Sequence, residues 1–213
     1  MSFFEPPPPP PQPPEQRRRP EWLGPPDNIL GVALPWRIVL ARTDNVAVVV
    51  EGATAYPNGI QLRIDVRRRP TPGDEDGEPF FPLGHPGSRQ RGHTGELPPE
   101  LLRVGIELAD GPKATTLDPH PFMLGPDATP EGPLLTQNGG HGGGSVWRLE
   151  FWLRLQPPPG PLVFACEWPS EGVELTRIKV DASAAIEAAS RAEVLWPEEG
   201  GGPGGSAGSY QIR

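Results

Sequence analysis

Four histidines are the side chains of this chain best suited to metal or acid–base chemistry. They are His85, His93, His120 and His141, and all of them fall in segments without hydrophobic periodicity. Imidazole nitrogens suit zinc and copper, and loops often carry functional groups. However, the separation of His85 and His93 matches neither a zinc finger nor an HExxH helix. A metal site built by the loops that carry these histidines is therefore a hypothesis without support from ligand spacing.

The other motifs with chemical potential are weaker. The acidic run at Asp74–Glu78 lacks the alternating ligands and the distal glutamate of an EF-hand loop. The glycine-rich stretch "GGHGGG" lacks the Lys-Ser/Thr ending of a phosphate-binding loop. No GxSxG elbow is present in the sequence. The sequence therefore predicts no cofactor, and an enzyme is less favoured than a binding protein.

Cys166 is the single cysteine, so no disulfide can form within the chain. It lies on the apolar phase of a predicted strand, where a free cysteine usually behaves as a small buried hydrophobic residue. No histidine is near it in sequence to act as a base. We expect Cys166 to be part of the core.

The charge of the chain bears on its partners. The net charge is -8 and the sequence pI about 5.1, which disfavours a nucleic-acid partner. The basic runs Arg17–Arg19 and Arg67–Arg69 are interpreted as solvated. No signal peptide and no apolar run of about 18 residues is visible. We therefore expect no membrane partner and a cytoplasmic location.

Residues 1–31 are predicted to form a proline-rich disordered arm. They contain the unbroken run Pro6–Pro11, which favours an extended polyproline II conformation. Pro6, Pro8 and Pro10 are candidate interaction residues, because aromatic grooves recognise such helices. A solubilising spacer is the favoured alternative.

Alternating apolar residues predict a β-domain over residues 32–197, followed by a flexible glycine-rich tail at 198–213. The Asn-Gly pair in "YPNG" predicts a hairpin ahead of the strand "IQLRIDVR". Two long loops are predicted at 70–100 and 118–144, and a helix at about 182–195. About eight antiparallel strands around one core predict an immunoglobulin-like β-sandwich with one C-terminal helix, although the disulfide of antibody domains is absent.

The stretch Ser145–Trp168 carries one exception to its alternation. Trp152 occupies a position on the polar face, and the stretch is predicted to be a hairpin joined at "QPPPGP". In that register Trp152 would lie opposite Ala165. The predicted helix could cover Trp152, which is the favoured outcome. Alternatively, a partner or the chain's own proline arm could stack on it, so Trp152 is also a candidate interaction residue.

Several phrases carry a resemblance, among them "WLGPPDNILG", "YPNGIQLRIDVR" and "GPLVFACEWPSEGVELTR". They resemble an uncharacterised protein family of high-GC Gram-positive bacteria. The resemblance covers most of the chain between Trp22 and Pro197, and it implies a host type without a function.

The favoured functional hypothesis is a non-enzymatic protein-binding or assembly module whose partner and oligomeric state are unknown. The alternative is an enzyme or a metal-binding protein with a site built by the histidine-containing loops 70–100 and 118–144.

Overall fold

The computed structural model describes residues 20–70, 82–83, 96–118 and 130–196. Within these ranges the chain forms strands and one α-helix, α1. The strands are β1 (Ile29–Leu30), β2 (Val32–Leu34), β3 (Ile38–Arg42), β4 (Val46–Tyr56), β5 (Gly59–Arg68), β6 (Arg103–Glu107), β7 (Lys113–Thr115), β8 (Leu134–Gly143), β9 (Val146–Arg154), β10 (Pro161–Trp168), β11 (Val173–Asp181) and β12 (Glu193–Val194). The helix α1 spans Ser183–Ser190.

The predicted hairpin is confirmed as the pair β4–β5. Tyr56 lies opposite Gly59, so Pro57 and Asn58 form the turn. The alternating residues Ile60, Leu62, Ile64 and Val66 are all fully buried on one face of β5, as the period-two pattern requires. The opposite face of β5 carries Gln61, Arg63, Asp65 and Arg67.

A six-stranded antiparallel sheet has the order β2-β4-β5-β9-β8, and β3 also pairs with β4. Its edge strand β8 corrects the prediction of a loop over 118–144, because residues 134–143 are strand. Glycine-rich composition suggested flexibility, yet the glycines permit close pairing with β9. A Cβ atom on Gly142 would lie 2.7 Å from the Cα of Trp147.

A second, four-stranded antiparallel sheet has the order β11-β10-β6-β7. It corrects the predicted hairpin, because β9 pairs with β5 and β8 whereas β10 pairs with β6 and β11. Consequently Trp152 does not lie opposite Ala165. The connection contains prolines that have no N–H to donate, and its Leu155 adopts a positive φ of 77°. It crosses from one sheet to the other, and both strands still direct their apolar faces to the same core.

The core lies between the inner faces of the two sheets. Trp36, in the segment between β2 and β3, packs edge-on against Phe164 of β10, with ring centroids 5.9 Å apart. The hydroxyl of Thr176 donates a 2.7 Å hydrogen bond to the carbonyl of Leu40, which links β11 to β3. The protein is therefore mainly β, with antiparallel sheets in an arrangement that fits a sandwich, and one helix.

The helix is shorter than predicted and packs elsewhere. It ends at Ser190 instead of about 195, because residues 193–194 pair with β1. Asp181 accepts a 2.9 Å hydrogen bond from the N–H of Ser183 at the helix start. The buried residues of the helix, Ala185 and Ala188, join the core cluster near β2 and β4. Trp152 is not in that cluster, so the prediction that the helix covers Trp152 is wrong.

The arm predicted over residues 1–31 is partly folded. Residues 21–23 form a 3₁₀ turn, and Ile29–Leu30 pairs with Glu193–Val194 in a two-stranded ribbon. The apolar residues in this segment do not alternate or recur at a helical spacing, so the sequence pattern does not predict that it is folded. Residues 1–19, with Pro6, Pro8 and Pro10, lie outside the described part of the chain, as do residues 197–213.

Among the described residues, no helix is long and apolar enough to cross a membrane.

Candidate functional site

The outer face of the six-stranded sheet carries the residue that broke the alternation. Trp152 lies on this face, yet its exposed fraction is zero. Its indole lies over Gly59, where a Cβ atom would come within 2.6 Å of the ring. Tyr56 packs edge-on against it, with ring centroids 5.8 Å apart. Burial raises the pKa of the Tyr56 hydroxyl. An aromatic pair on this face is thus enclosed without belonging to the core.

The chain's own N-terminal segment covers Trp152. We call residues 20–24 the strap. The indole Nε1 of Trp152 donates a 3.2 Å hydrogen bond to the carbonyl of Trp22. The side-chain amide of Asn58 donates to the carbonyls of Glu21, at 3.0 Å, and Gly24, at 3.5 Å. The sequence analysis offered the helix, a partner or the chain's own N-terminal arm as the cover of Trp152. The hydrogen bond to Trp22 agrees with the last of these.

A third side chain completes the set of donors. The amide of Asn138 on β8 donates to the carbonyl of Leu23 at 3.4 Å. We call Trp152, Tyr56, Asn58 and Asn138 together the platform. Its three donors meet carbonyl groups of the strap and no strap side chain.

Two buried acceptors at the β4–β5 turn are unsatisfied. The side-chain oxygens Oδ1 of Asn58 and Oε1 of Gln156 are buried without a hydrogen-bond partner among the described residues. The Gln156 amide itself donates to the carbonyls of Tyr56 and Gly59. A buried acceptor without a partner costs about 1–3 kcal/mol. The strap therefore leaves part of the hydrogen-bonding capacity here unused.

An open hollow of about 230 Å³ lies on the same face, and Gln61 of its lining is the neighbour of Trp152 across β5 and β9. Arg63 and Glu150 oppose each other in the next outward-facing row. The guanidinium of Arg63 lies over Gly52, where a Cβ atom would be 2.7 Å from Nη2. The floor is thus polar and continuous with the platform.

A buried carboxylate lies farther along the same face. Asp65 is fully buried and accepts hydrogen bonds from Arg148 Nε at 3.0 Å and from Arg67 Nη2 at 3.0 Å. Burial alone raises the pKa of Asp65, but the hydrogen bonds and charges of Arg148 and Arg67 outweigh it and hold the pKa below its usual value. This arrangement is a structural ion cluster, because its carboxylate has no open access.

An exposed apolar surface lies at the ribbon formed by β1 and β12. Leu30, Val194 and Trp196 are 56%, 55% and 64% exposed. Ile29 opposes Val194, and the ribbon continues through a 2.8 Å bond from the N–H of Leu195 to the carbonyl of Asn28. Leu30 pairs with Glu193 and therefore lies on the opposite face of the ribbon from Val194. Exposed apolar groups that lie close together, such as Val194 and Trp196, are typical of contact surfaces.

Comparison with known proteins adds no relative. No family model, no curated protein and no solved structure matches this chain. The arguments for function therefore rest on the geometry of the chain itself.

The predicted histidine site is only partly within the described residues. His85, His93 and His120 lie outside them. His141 lies on β8, opposite Arg148, with an exposed side chain. Among the described residues, no group of three or more His, Cys, Asp or Glu side chains is placed to hold a metal ion.

Cys166 is buried in the core, as the strand pattern predicted. Burial and, secondarily, the charge of Glu167 raise the pKa of its thiol to about 12.

Sequence reasoning singled out Trp152 but missed the groups that surround it. The sequence predicts Asn58 only as a turn residue and places Asn138 within a predicted loop. The aromatic exception was the one available signal, because side-chain donors for backbone carbonyls leave no spacing pattern.

Proposed function

We propose that this protein is a non-enzymatic protein-binding or assembly module that contacts its partner through the ribbon of β1 and β12. The observation that carries the proposal is the exposure of Val194 in the ribbon and of Trp196 just beyond it, together with Leu30 on the ribbon's opposite face. A large aromatic side chain exposed among aliphatic ones is the kind of residue that dominates binding energy once a partner encloses it.

The position of the ribbon supports the same proposal. It joins the segment that follows the strap to the segment that follows α1. Its hydrogen bonds include one from the Asn28 side-chain amide to the carbonyl of Trp196, at 3.2 Å. Trp196 is therefore held in place by its backbone while its side chain is open to solvent, which reduces the ordering cost of binding.

Binding of a captured partner tests the proposal. Tagged full-length protein is used to capture a native complex, and the identified partner is then titrated against purified L30S/W196S and V39S variants. Val39 on β3 is a matched control, because it is 54% exposed but lies away from the ribbon. We expect the double variant to lose at least about 2 kcal/mol of binding free energy and V39S to bind like wild type.

Self-association is measured on the same samples by light scattering over a range of concentrations. A partner, or a second copy, that binds L30S/W196S as tightly as wild type would contradict the proposal. So would capture experiments that retain no partner together with a monomer at every concentration.

Three broader expectations accompany this proposal. We infer an immunoglobulin-like sandwich in the sense of architecture alone, supported by two antiparallel sheets around one core. We infer a cytoplasmic location, which a lone buried cysteine suits. We infer a high-GC Gram-positive host from the sequence resemblance.

A further inference from the structure

We propose that the platform is a binding site for a proline-flanked peptide that forms a single 3₁₀ turn, and that the strap occupies this site as an internal ligand. The site lies on the outer face of the six-stranded sheet, away from the core cluster. The proposal is independent of the ribbon and would hold whatever the ribbon binds.

The pattern of hydrogen bonds identifies the ligand class. Four consecutive carbonyls of the strap, from Glu21 to Gly24, each accept a bond from a platform side chain. Within the strap the N–H of Leu23 donates to the carbonyl of Pro20 in a 3₁₀ turn, so the carbonyls that follow Pro20 are available to the platform donors. Pro20 precedes this turn, and Pro25 and Pro26 follow it without N–H groups to satisfy. Aromatic surfaces are a known recognition element for proline-containing chains.

The unsatisfied acceptors provide an independent observation. Asn58 Oδ1, on the side chain that holds the strap, and Gln156 Oε1, on the side chain that binds the adjoining β4–β5 turn, are buried and receive no hydrogen bond from the described residues. A ligand that placed an N–H group near either oxygen would satisfy what the strap leaves unsatisfied. The strap is therefore an incomplete occupant of the site.

The strap is also held loosely enough to be exchanged. Glu21 is exposed, Trp22 and Leu23 are only half-buried, and the retaining bonds span 3.0–3.5 Å. Segments with few buried apolar contacts open at low free-energy cost. The hollow next to Gln61 is open and would take the continuation of a longer ligand.

Competition with the strap is the test. The probe is a fluorescein-labelled peptide with the sequence of residues 20–27, "PEWLGPPD", titrated by anisotropy against the full-length chain. In a W22S/L23S variant the internal ligand is weakened. We expect the peptide to bind this variant about 10-fold or more tightly than wild type, because an attached ligand competes at high effective concentration.

Three controls define the site. In the W22S/L23S background, W152F removes the indole donor and should weaken binding about 10-fold. A peptide in which every proline is replaced by serine should bind more weakly than the original. R177A, on the outer face of the other sheet, should leave binding unchanged.

A second measurement uses the wild-type chain, in case W22S/L23S does not fold. Excess unlabelled peptide should accelerate hydrogen exchange of the Trp22 and Leu23 amides by displacing the strap. The proposal is overturned if the peptide binds neither protein, if it binds both equally, or if strap exchange is unaffected by saturating peptide. The L30S/W196S variant should bind the peptide normally, so failure here is distinguishable from failure of the ribbon proposal.

Discussion

Cys166 shows what burial does to the pKa of a thiol. It lies in the core between Ala165 and Glu167 on β10, and its pKa is raised to about 12. Thiolate is the reactive form, and a raised pKa keeps the thiol protonated at pH 8.

Reactivity of Cys166 toward a disulfide reagent checks this reasoning. We expect negligible reaction of the native protein at pH 8 over the time in which the same protein, unfolded in guanidinium chloride, reacts completely. Fast modification of the native chain at a rate independent of unfolding would contradict the buried position.

Asp65 shows the opposite balance, because hydrogen bonds and charges outweigh burial. Its pKa is lowered in the folded state, so the stabilisation is present above the ordinary carboxyl pKa of about 3.9 and is lost as the pH falls through the folded value. The chain should therefore lose stability below about pH 4, in part through this one residue.

Replacing Asp65 with asparagine isolates that contribution. We expect D65N to lose about 1–2 kcal/mol of unfolding free energy at pH 7, a value reduced by the partial exposure of Arg148 and Arg67. The difference from wild type should shrink as the pH approaches 2. Denaturant unfolding over this pH range measures both effects.

Glu107 provides a matched control for that experiment. It also faces two cations, 3.0 Å from Arg177 and 3.7 Å from Lys113, but its side chain is 31% exposed. E107Q should change the unfolding free energy by no more than about 0.5 kcal/mol. Equal losses in D65N and E107Q would show that burial of Asp65 is not the cause.

At the scale of elements, β8 shows that composition and conformation can disagree. Its glycines suggested a flexible loop, but Gly140 and Gly142 fit against the backbone and side chains of β9. β8 and β9 form a hairpin in which Gly144 and Ser145 make the turn and Gly143 lies opposite Val146. The glycine-rich residues of β8 show no apolar alternation that predicts this pairing.

Two neighbouring glycines test this account of β8. A Cβ on Gly142 would lie 2.7 Å from the Cα of Trp147 and from the carbonyl oxygen of Val146, whereas a Cβ on Gly143 would meet no atom within 4 Å. We expect G142A to destabilise the protein by about 1–3 kcal/mol and G143A to remain within about 0.5 kcal/mol of wild type. Thermal or denaturant unfolding measures both, and equal stability would refute the close pairing.

The packing partners of α1 and of the strap could not be predicted from the sequence either. The small-residue face of α1 correctly indicated packing against a sheet, but Ala185 and Ala188 lie in the core cluster and not over Trp152. The strap has no periodicity to detect, and its contacts with Asn58 and Asn138 join residues far apart in sequence. The only sign in the sequence that a segment covers this face is Trp152, a large aromatic residue on the polar phase of β9.

For the whole molecule, the decisive feature is the division of strands between two sheets. The pattern of β9 and β10 was interpreted as a hairpin in a register that placed all its apolar pairs on one face. The same pattern results when two strands face one core from opposite sheets, because each strand then also buries one side. Alternation cannot distinguish a neighbour in the sheet from a partner across the core.

The amino-acid sequence by itself determined most of the strands, the β4–β5 turn, the buried phase of β5 and the core position of Cys166. These follow from local rules, namely side-chain alternation and the turn-forming residues of "YPNG", although the turn is made by Pro57 and Asn58 and not by the Asn-Gly pair. Only the tertiary structure decided which strands pair, that β8 is a strand, and that the strap covers Trp152. Those outcomes depend on contacts between distant residues, on glycine positions where backbones approach, and on side-chain donors matched to carbonyls, none of which leaves a periodic trace.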